Sequence, residues 1–176
     1  IITGSFKNTV DFNPTSATNT IFSSGSADGF ALKLDNSCNF LWVAKFGSTF
    51  SLEETSDAVT DAAGNIYLTG AFAGTVDFDP SSTGYTALSS PSSNNIYLLK
   101  LDSDGNFGWV KGFGSSAAND ESRAIALDAA GNIHIAGAYA GTVDFDPSAT
   151  TTSTLTAVGG LDCFVAKYDA SGNYLF

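Results

Sequence analysis

Apolar and polar positions alternate in short runs along this chain, and the runs recur. Phe164, Ala166 and Tyr168 fall on one side of a run, and Val165, Lys167 and Asp169 on the other, the period-two signature of a strand. "DASGN" (169–173) then turns the chain, and "NYLF" begins another strand. One unit earlier "YLLKLD", "SDGN" and "FGWVKGFG" read as the same hairpin, with Gly supplying a positive φ and Asp and Asn bonding the local backbone. The earliest copy has "DNSCN", with Cys38 where Gly105 and Gly172 stand, which predicts a strained or altered turn. In a second hairpin "SRAIALD" pairs with "NIHIAGAY", as "SDAVTD" pairs with "NIYLTGAF". No stretch shows helical periodicity with caps.

The spacing of these elements is regular. Gly4, Gly70 and Gly137 lie 66 and 67 residues apart; Asp35, Asp102 and Asp169 lie 67 apart, as do Trp42, Trp109 and Phe176. "GTVDFDP" stands at 74–80 and at 141–147, and "NTVDFNP" at 8–14. The chain is thus about two and a half copies of one unit, and it begins and ends inside a unit. Four antiparallel strands per unit, apolar on both faces, fit a β-propeller blade packed between neighbours. The expected fold is all-β: a partial β-propeller of four-stranded antiparallel blades of 66–67 residues. A β-sandwich is the runner-up, though it needs no copies at a fixed period. A β-solenoid repeats at roughly 20–30 residues, too short for this unit. With the VDFDP segment read as the crossover between blades, complete blades are expected at 28–72 and 95–139, and incomplete ones at 1–6 and 162–176. A ring needs roughly 4–8 blades, so the remaining blades of the same protein, or other protein chains, are the expected partners. Alone, the chain is expected to aggregate, associate or stay partly unfolded.

"DGFALKLDNSCNFLWVAKFG", "DAVTDAAGNIYLTGAF" and "GTVDFDPS" resemble the SBBP-type β-propeller repeats of bacterial secreted and surface proteins. The resemblance covers essentially the whole chain. Departures are local: Cys38 for a turn Gly, Asn13 for the second Asp, Ala136 for Thr. The resemblance implies a large extracellular propeller, often within long multidomain proteins exported to the cell surface. It implies no established catalytic activity and no set of active-site residues.

Composition narrows the partners. The 176 residues carry 18 acidic against seven basic side chains, a net charge of −11. There is no electrostatic footprint for nucleic acid or an anionic membrane, and no apolar run of the ~20 residues that cross a bilayer. Such a surface could bind cations or cationic partners; the favoured expectation is a soluble secreted surface. The chain has no methionine and opens on Ile1 in mid-strand, as a mature piece of a longer precursor would. Cys38 and Cys163 read as unpaired thiols, one in a turn and one in a strand.

Among candidate sites the VDFDP motif comes first. Asp77 and Asp79, with Asp144 and Asp146, could gather around Ca²⁺, which takes 6–8 oxygen ligands. The structural alternative packs Val and Phe, caps the turn with Asp and stops the strand with Pro. It is favoured because the motif travels with the unit and survives Asn13. No cofactor is otherwise indicated. "DSDG" (102–105) resembles the start of a calcium loop but reads as a hairpin turn. Lys33, Lys100 and Lys167 are expected to contact the Asp two residues on. His134 and Arg123 are each the sole residue of their type, which excludes histidine triads, multi-histidine metal sites and arginine clusters within this chain. Trp42, Trp109, Phe46 and Phe113 read as core between blades, although an aromatic at either end of the propeller could seat a glycan. The function expected is a non-catalytic extracellular scaffold or adhesion module. Its binding loops are expected at 48–54, 81–94, 115–119 and 148–160. The alternative is part of a propeller enzyme or carbohydrate-binding protein whose active residues lie on blades outside this chain.

Overall fold

A computed structural model describes residues 1–49, 53–116 and 118–176. The strands are β1 (Ile2–Phe6), β2 (Thr9–Asp11), β3 (Thr20–Phe22), β4 (Asp28–Leu34), β5 (Phe40–Phe46), β6 (Glu54–Thr60), β7 (Ile66–Asp77), β8 (Ala87–Leu101), β9 (Phe107–Phe113), β10 (Glu121–Leu127), β11 (Ile133–Asp144) and β12 (Thr154–Tyr168). Their pairings are all antiparallel, so the all-β expectation holds. The middle sheet is four-stranded in the order β6-β7-β8-β9, between sheets β1-β4-β5 and β10-β11-β12; β2 and β3 form a separate ribbon. Among the described residues there is no helix, so none is long and apolar enough to cross a membrane.

Local chemistry sets the tight turns. Between β6 and β7, Asp61 Oδ1 accepts the N–H groups of Ala63 and Asn65, both at 2.9 Å, and Gly64 takes φ +83°. The same turn recurs at Asp102, Asp128 and Asp169, each followed by a left-handed Gly and an Asn. At Asp35 the left-handed residue is Cys38, φ +62°, and the hydrogen bonds are kept. "DSDG" is therefore a hairpin turn, as expected.

The grouping of strands differs from the expected one. β7 runs past a bulge between Phe72 and Gly74 and stays paired with β8 as far as Asp77↔Ala87. VDFDP therefore lies in a long hairpin inside one sheet, and is not the crossover. The chain passes between sheets after β5, which is followed by β6 of the middle sheet, and after β9, which is followed by β10 of the third. The strands of 28–72 and of 95–139 are accordingly each split between two sheets: β4 and β5 pair with β1, while β6 and β7 pair with β8 and β9. The bulge is the physical reason, since it lets one strand bend and continue where a straight strand would end.

The sheets stack face to face through two equivalent junctions. Between the first and second, Ala31, Ala44 and Phe46 meet Leu68, Phe72, Phe78 and Leu99. Between the second and third, Ile96, Leu98 and Phe113 meet Ile135, Tyr139, Phe145 and Ala166. Phe46 stacks on Phe78 at 5.9 Å and 25°, and Phe113 on Phe145 at 6.4 Å and 24°. Each such side chain taken from water contributes about 1.5–3 kcal/mol. Trp42 lies against Gly105 of the next sheet, and Trp109 against Gly172, so both tryptophans are junction residues as expected. The first strands of neighbouring sheets also meet: Asp57, at a bulge in β6, accepts the Ile125 N–H of β10 at 3.0 Å.

Candidate functional site

In an antiparallel meander, the Asp-Asn turns share one end, while VDFDP and the crossovers share the other. Acidic residues cluster in three devices, and each binds backbone. In the first, the turn acids Asp35, Asp102 and Asp128 are held below the usual carboxylate range chiefly by the amide of the Asn four residues on. At Asp61 and Asp169 a counteracting pull from burial is outweighed by the same Asn bonds. Lys167 adds an ion pair to Asp128 at 3.0 Å. Lys33 donates instead to the Ser103 carbonyl of the next sheet at 2.6 Å, and Lys100 lies over the Tyr67 ring at 5.3 Å. The expected lysine contact with the Asp two residues on is therefore not made. An extended strand carries positions i and i+2 on one face but about 6–7 Å apart, and nearer partners in neighbouring turns and on the neighbouring strand win. His134 is half-buried, with Nε2 3.5 Å from Asp128 Oδ2.

In the second device Asp77 Oδ1 accepts the N–H groups of Asp79 and Thr86, at 3.1 and 2.9 Å. Asp144 Oδ1 does the same for Asp146 and Ser153, at 3.0 and 2.7 Å, and Asp11 for Asn13 and Asn19. Asp79 and Asp146 each accept the N–H two residues on, and Thr151 holds Asp146 below the usual range. Val76, Phe78, Val143 and Phe145 are fully buried. Phe78 meets Phe72 edge-on at 5.5 Å and Tyr97 at 4.8 Å; Phe145 meets Tyr139 and Phe164 at 5.6 and 4.7 Å. The structure brings Asp77 and Asp79 to one open groove of about 340 Å³ beside Lys45 and Gly47. It brings Asp144 and Asp146 to a separate, equivalent groove of about 280 Å³ beside Gly112 and Gly114. Among the described residues no three His, Cys, Asp or Glu side chains are grouped to hold a metal ion.

The third device is buried, and the sequence analysis assigned it no role. After β5, the Ser48 N–H and hydroxyl donate to Glu53 at 3.0 and 2.9 Å. After β9, Asp120 accepts the Ser115 N–H at 2.6 Å and the Ala140 N–H of β11 at 2.8 Å. Burial pushes both acids up from their ordinary values, and the charge of Asp28 adds to this at Glu53. Asp28 is fully buried over Gly47, with Lys45 Nζ 3.2 Å from its Oδ2. The available signal was a Gly-Ser pair with an acid five residues after the Ser, repeated 67 residues on. Asp57 has no counterpart in the next unit, where Ala124 stands, so no repeat pointed to it.

Of the expected binding loops, residues 50–52 of 48–54 and residue 117 of 115–119 lie outside the described residues. An open cavity of about 610 Å³ borders Glu121, Ala140, Gly160 and Leu161, away from the VDFDP carboxylates. Cys38 and Cys163 are both free and exposed. Neither a family model nor a curated protein matches the chain.

Proposed function

We propose that this chain is a section of a non-catalytic β-propeller that acts as scaffold or binding platform in a bacterial secreted or surface protein. The observation that carries the reading is the identity of the two junctions. Positions one unit apart are buried in equivalent places, with Phe46 on Phe78 and Phe113 on Phe145. A blade must bury both faces against like neighbours, which explains why the acidic motifs repeat with it. The Asp57 bond between β6 and β10 supports first strands that converge, as inner strands of a propeller do. The resemblance to SBBP-type repeats is the ground for the extracellular setting. Loops at the ends of the sheets, among them 81–94 and 148–160, are where a protein or glycan partner would be read.

In this reading the VDFDP carboxylates fasten a hairpin and calcium is not needed. Thermal melts in EDTA and in millimolar calcium test this. The expected result is one melting temperature in both. A calcium-dependent rise of several degrees, lost in Asp144→Asn with Asp146→Asn, would turn the motif into a metal site.

A further inference from the structure

A groove recurs at the edge of both internal junctions, where the last strand of one sheet, the loop after VDFDP and the Asp-Asn turn of the next sheet meet. At the first junction it measures about 150 Å³ and borders Ala44, Pro80, Ser81 and Asn106. At the second it measures about 190 Å³, and Lys111, Pro147, Ser148 and Asn173 stand one unit on, joined by Thr151 and Tyr174. The bend of the long hairpin at its bulge brings the loop beside the turn: Ser153 Oγ donates to Tyr174 Oη at 2.7 Å, and Tyr168 Oη to the Phe145 carbonyl at 2.9 Å. Each groove is built from the two sheets of its own junction. At the first junction the strand after the turn, β9, runs its full length and the groove stays open.

The two grooves differ in charge. Where the first has the buried Ala44, the second has Lys111, half-buried, its Cε 3.1 Å from a Cβ placed on Gly172. Lys45, Lys167 and Arg123 pair with carboxylates, Lys33 with a carbonyl and Lys100 with the Tyr67 ring, and Lys7 is exposed. Among the described residues the Lys111 ammonium meets no acceptor. The acid in its groove is already taken: Asp146 Oδ1 accepts the Ser148 N–H, and Oδ2 accepts the Thr151 hydroxyl. Tyr174 Oη accepts from Ser153 and keeps its own proton to donate. An ammonium drawn partly out of water lacks a counter-charge here, and a bound carboxylate would supply it. Around it the hydroxyls of Ser148 and Thr151 and the Asn173 amide both donate and accept.

We propose that the second groove binds a carboxylate carried on a sugar ring, the uronate unit of an acidic glycan. The carboxylate takes the Lys111 ammonium and the Tyr174 O–H, and the ring hydroxyls exchange hydrogen bonds with Ser148, Thr151 and Asn173. An acidic peptide side chain would use the two donors and leave those groups idle, whereas a polyol uses both sets. The first groove has Ala44 in place of the lysine and Asp104 on its border, so it takes no such ligand. This rests on the reading of the chain as a binding platform whose loop 148–160 meets a partner, and it names that partner's chemistry. It does not need the ring to close.

Equilibrium dialysis of the full chain against glucuronate, glucose, acetate and a short oligoglutamate peptide tests it. The salt is held at about 0.15 M, where the net charge of −11 is screened beyond about 8 Å. Saturable uptake of glucuronate is expected, with the other three at least about tenfold weaker. Lys111→Gln, which keeps the stem over Gly172 and removes the charge, should weaken glucuronate by about tenfold, and Tyr174→Phe by about threefold. Lys111→Ala installs the residue of the first groove; it should keep the denaturation midpoint and bind as poorly as Lys111→Gln. No saturable uptake, uptake indifferent to Lys111→Gln, or acetate or oligoglutamate bound as tightly as glucuronate would overturn the inference. The denaturation midpoint of the same samples reports the stacked sheets separately, so a lost glycan site is told apart from a lost scaffold.

Discussion

At the crossover from β5 to β6, Glu53 is buried with Asp28 near it, and Lys45 stands 3.2 Å from Asp28. At the crossover from β9 to β10, Asp120 is buried, Asn95 occupies the Asp28 position and Gly112 the Lys45 position. Asn95 packs over Gly114 as Asp28 packs over Gly47, and its NH₂, turned toward Ser115, reaches that carbonyl at 3.2 Å. Both crossovers thus keep one buried acid that ties the serine after the last strand of a sheet to its surroundings. The second polar group varies. Where it is an amide it stands alone, and where it is a carboxylate a lysine comes with it. Ionised, each set carries one net negative charge. A second carboxylate beside Glu53 adds a further buried negative charge, and Lys45 offsets it.

The largest effect should come from removing the constant element. Asp120→Ala leaves the Ser115 and Ala140 N–H groups without their acceptor. The expected loss is about 3 kcal/mol by chemical denaturation, from two buried unpaired donors. Glu53→Ala should cost less, because it also relieves the repulsion from Asp28. A larger loss at Glu53 would break the comparison. Next, Lys45→Met should cost about 1–2 kcal/mol, less than a fully buried pair because the lysine side chain is 30% exposed. Asp28→Asn, which installs the second crossover's residue, should recover most of it. No rescue in that double-mutant cycle would mean that the lysine acts by packing alone.

These devices were unequally legible in the sequence. The Asp-Asn turns could be read because every contact in them lies within four residues. The strands could be read from alternation. The grouping into sheets could not, because it depends on whether β7 bends at its bulge and stays with β8, a pairing that spans the loop between Asp77 and Ala87. Of the candidate site, the capping role of Asp77 and Asp144 followed from residue type and repetition. The burial of Glu53 and Asp120 is set by the two sheets that close over them, and Asp and Glu look like surface residues in any linear reading.

A smaller effect lies in the pH profile. Glu53 and Asp120 have raised values, so the folded state holds their protons more tightly than the unfolded chain does. Their contribution is fully present below the ordinary values of 4.5 and 3.8 and is lost as pH rises through the raised ones. The turn acids are lowered and act in the opposite sense: their contribution is present above 3.8 and lost as pH falls through the depressed values. Glu53→Gln should flatten the decline of the denaturation midpoint above pH 4.5 and leave the acid flank unchanged. An unaltered profile in that variant would remove Glu53 from the account. Smallest of all, Cys38→Gly should leave stability level or raise it by up to about 1 kcal/mol, since the position sits at φ +62°. A clear loss in the isolated chain would show that the thiol packs within its own sheet.

In the proposed reading the repeating unit closes a ring. Chains built from successive copies of residues 54–120, one complete period, test it by chemical denaturation as a function of copy number. The account predicts that stability and cooperativity jump at one copy number between roughly 4 and 8, where the last sheet closes on the first, and that a further copy adds nothing. A steady gain with every added copy and no preferred number, as nearest-neighbour stacking in an open solenoid gives, would contradict it.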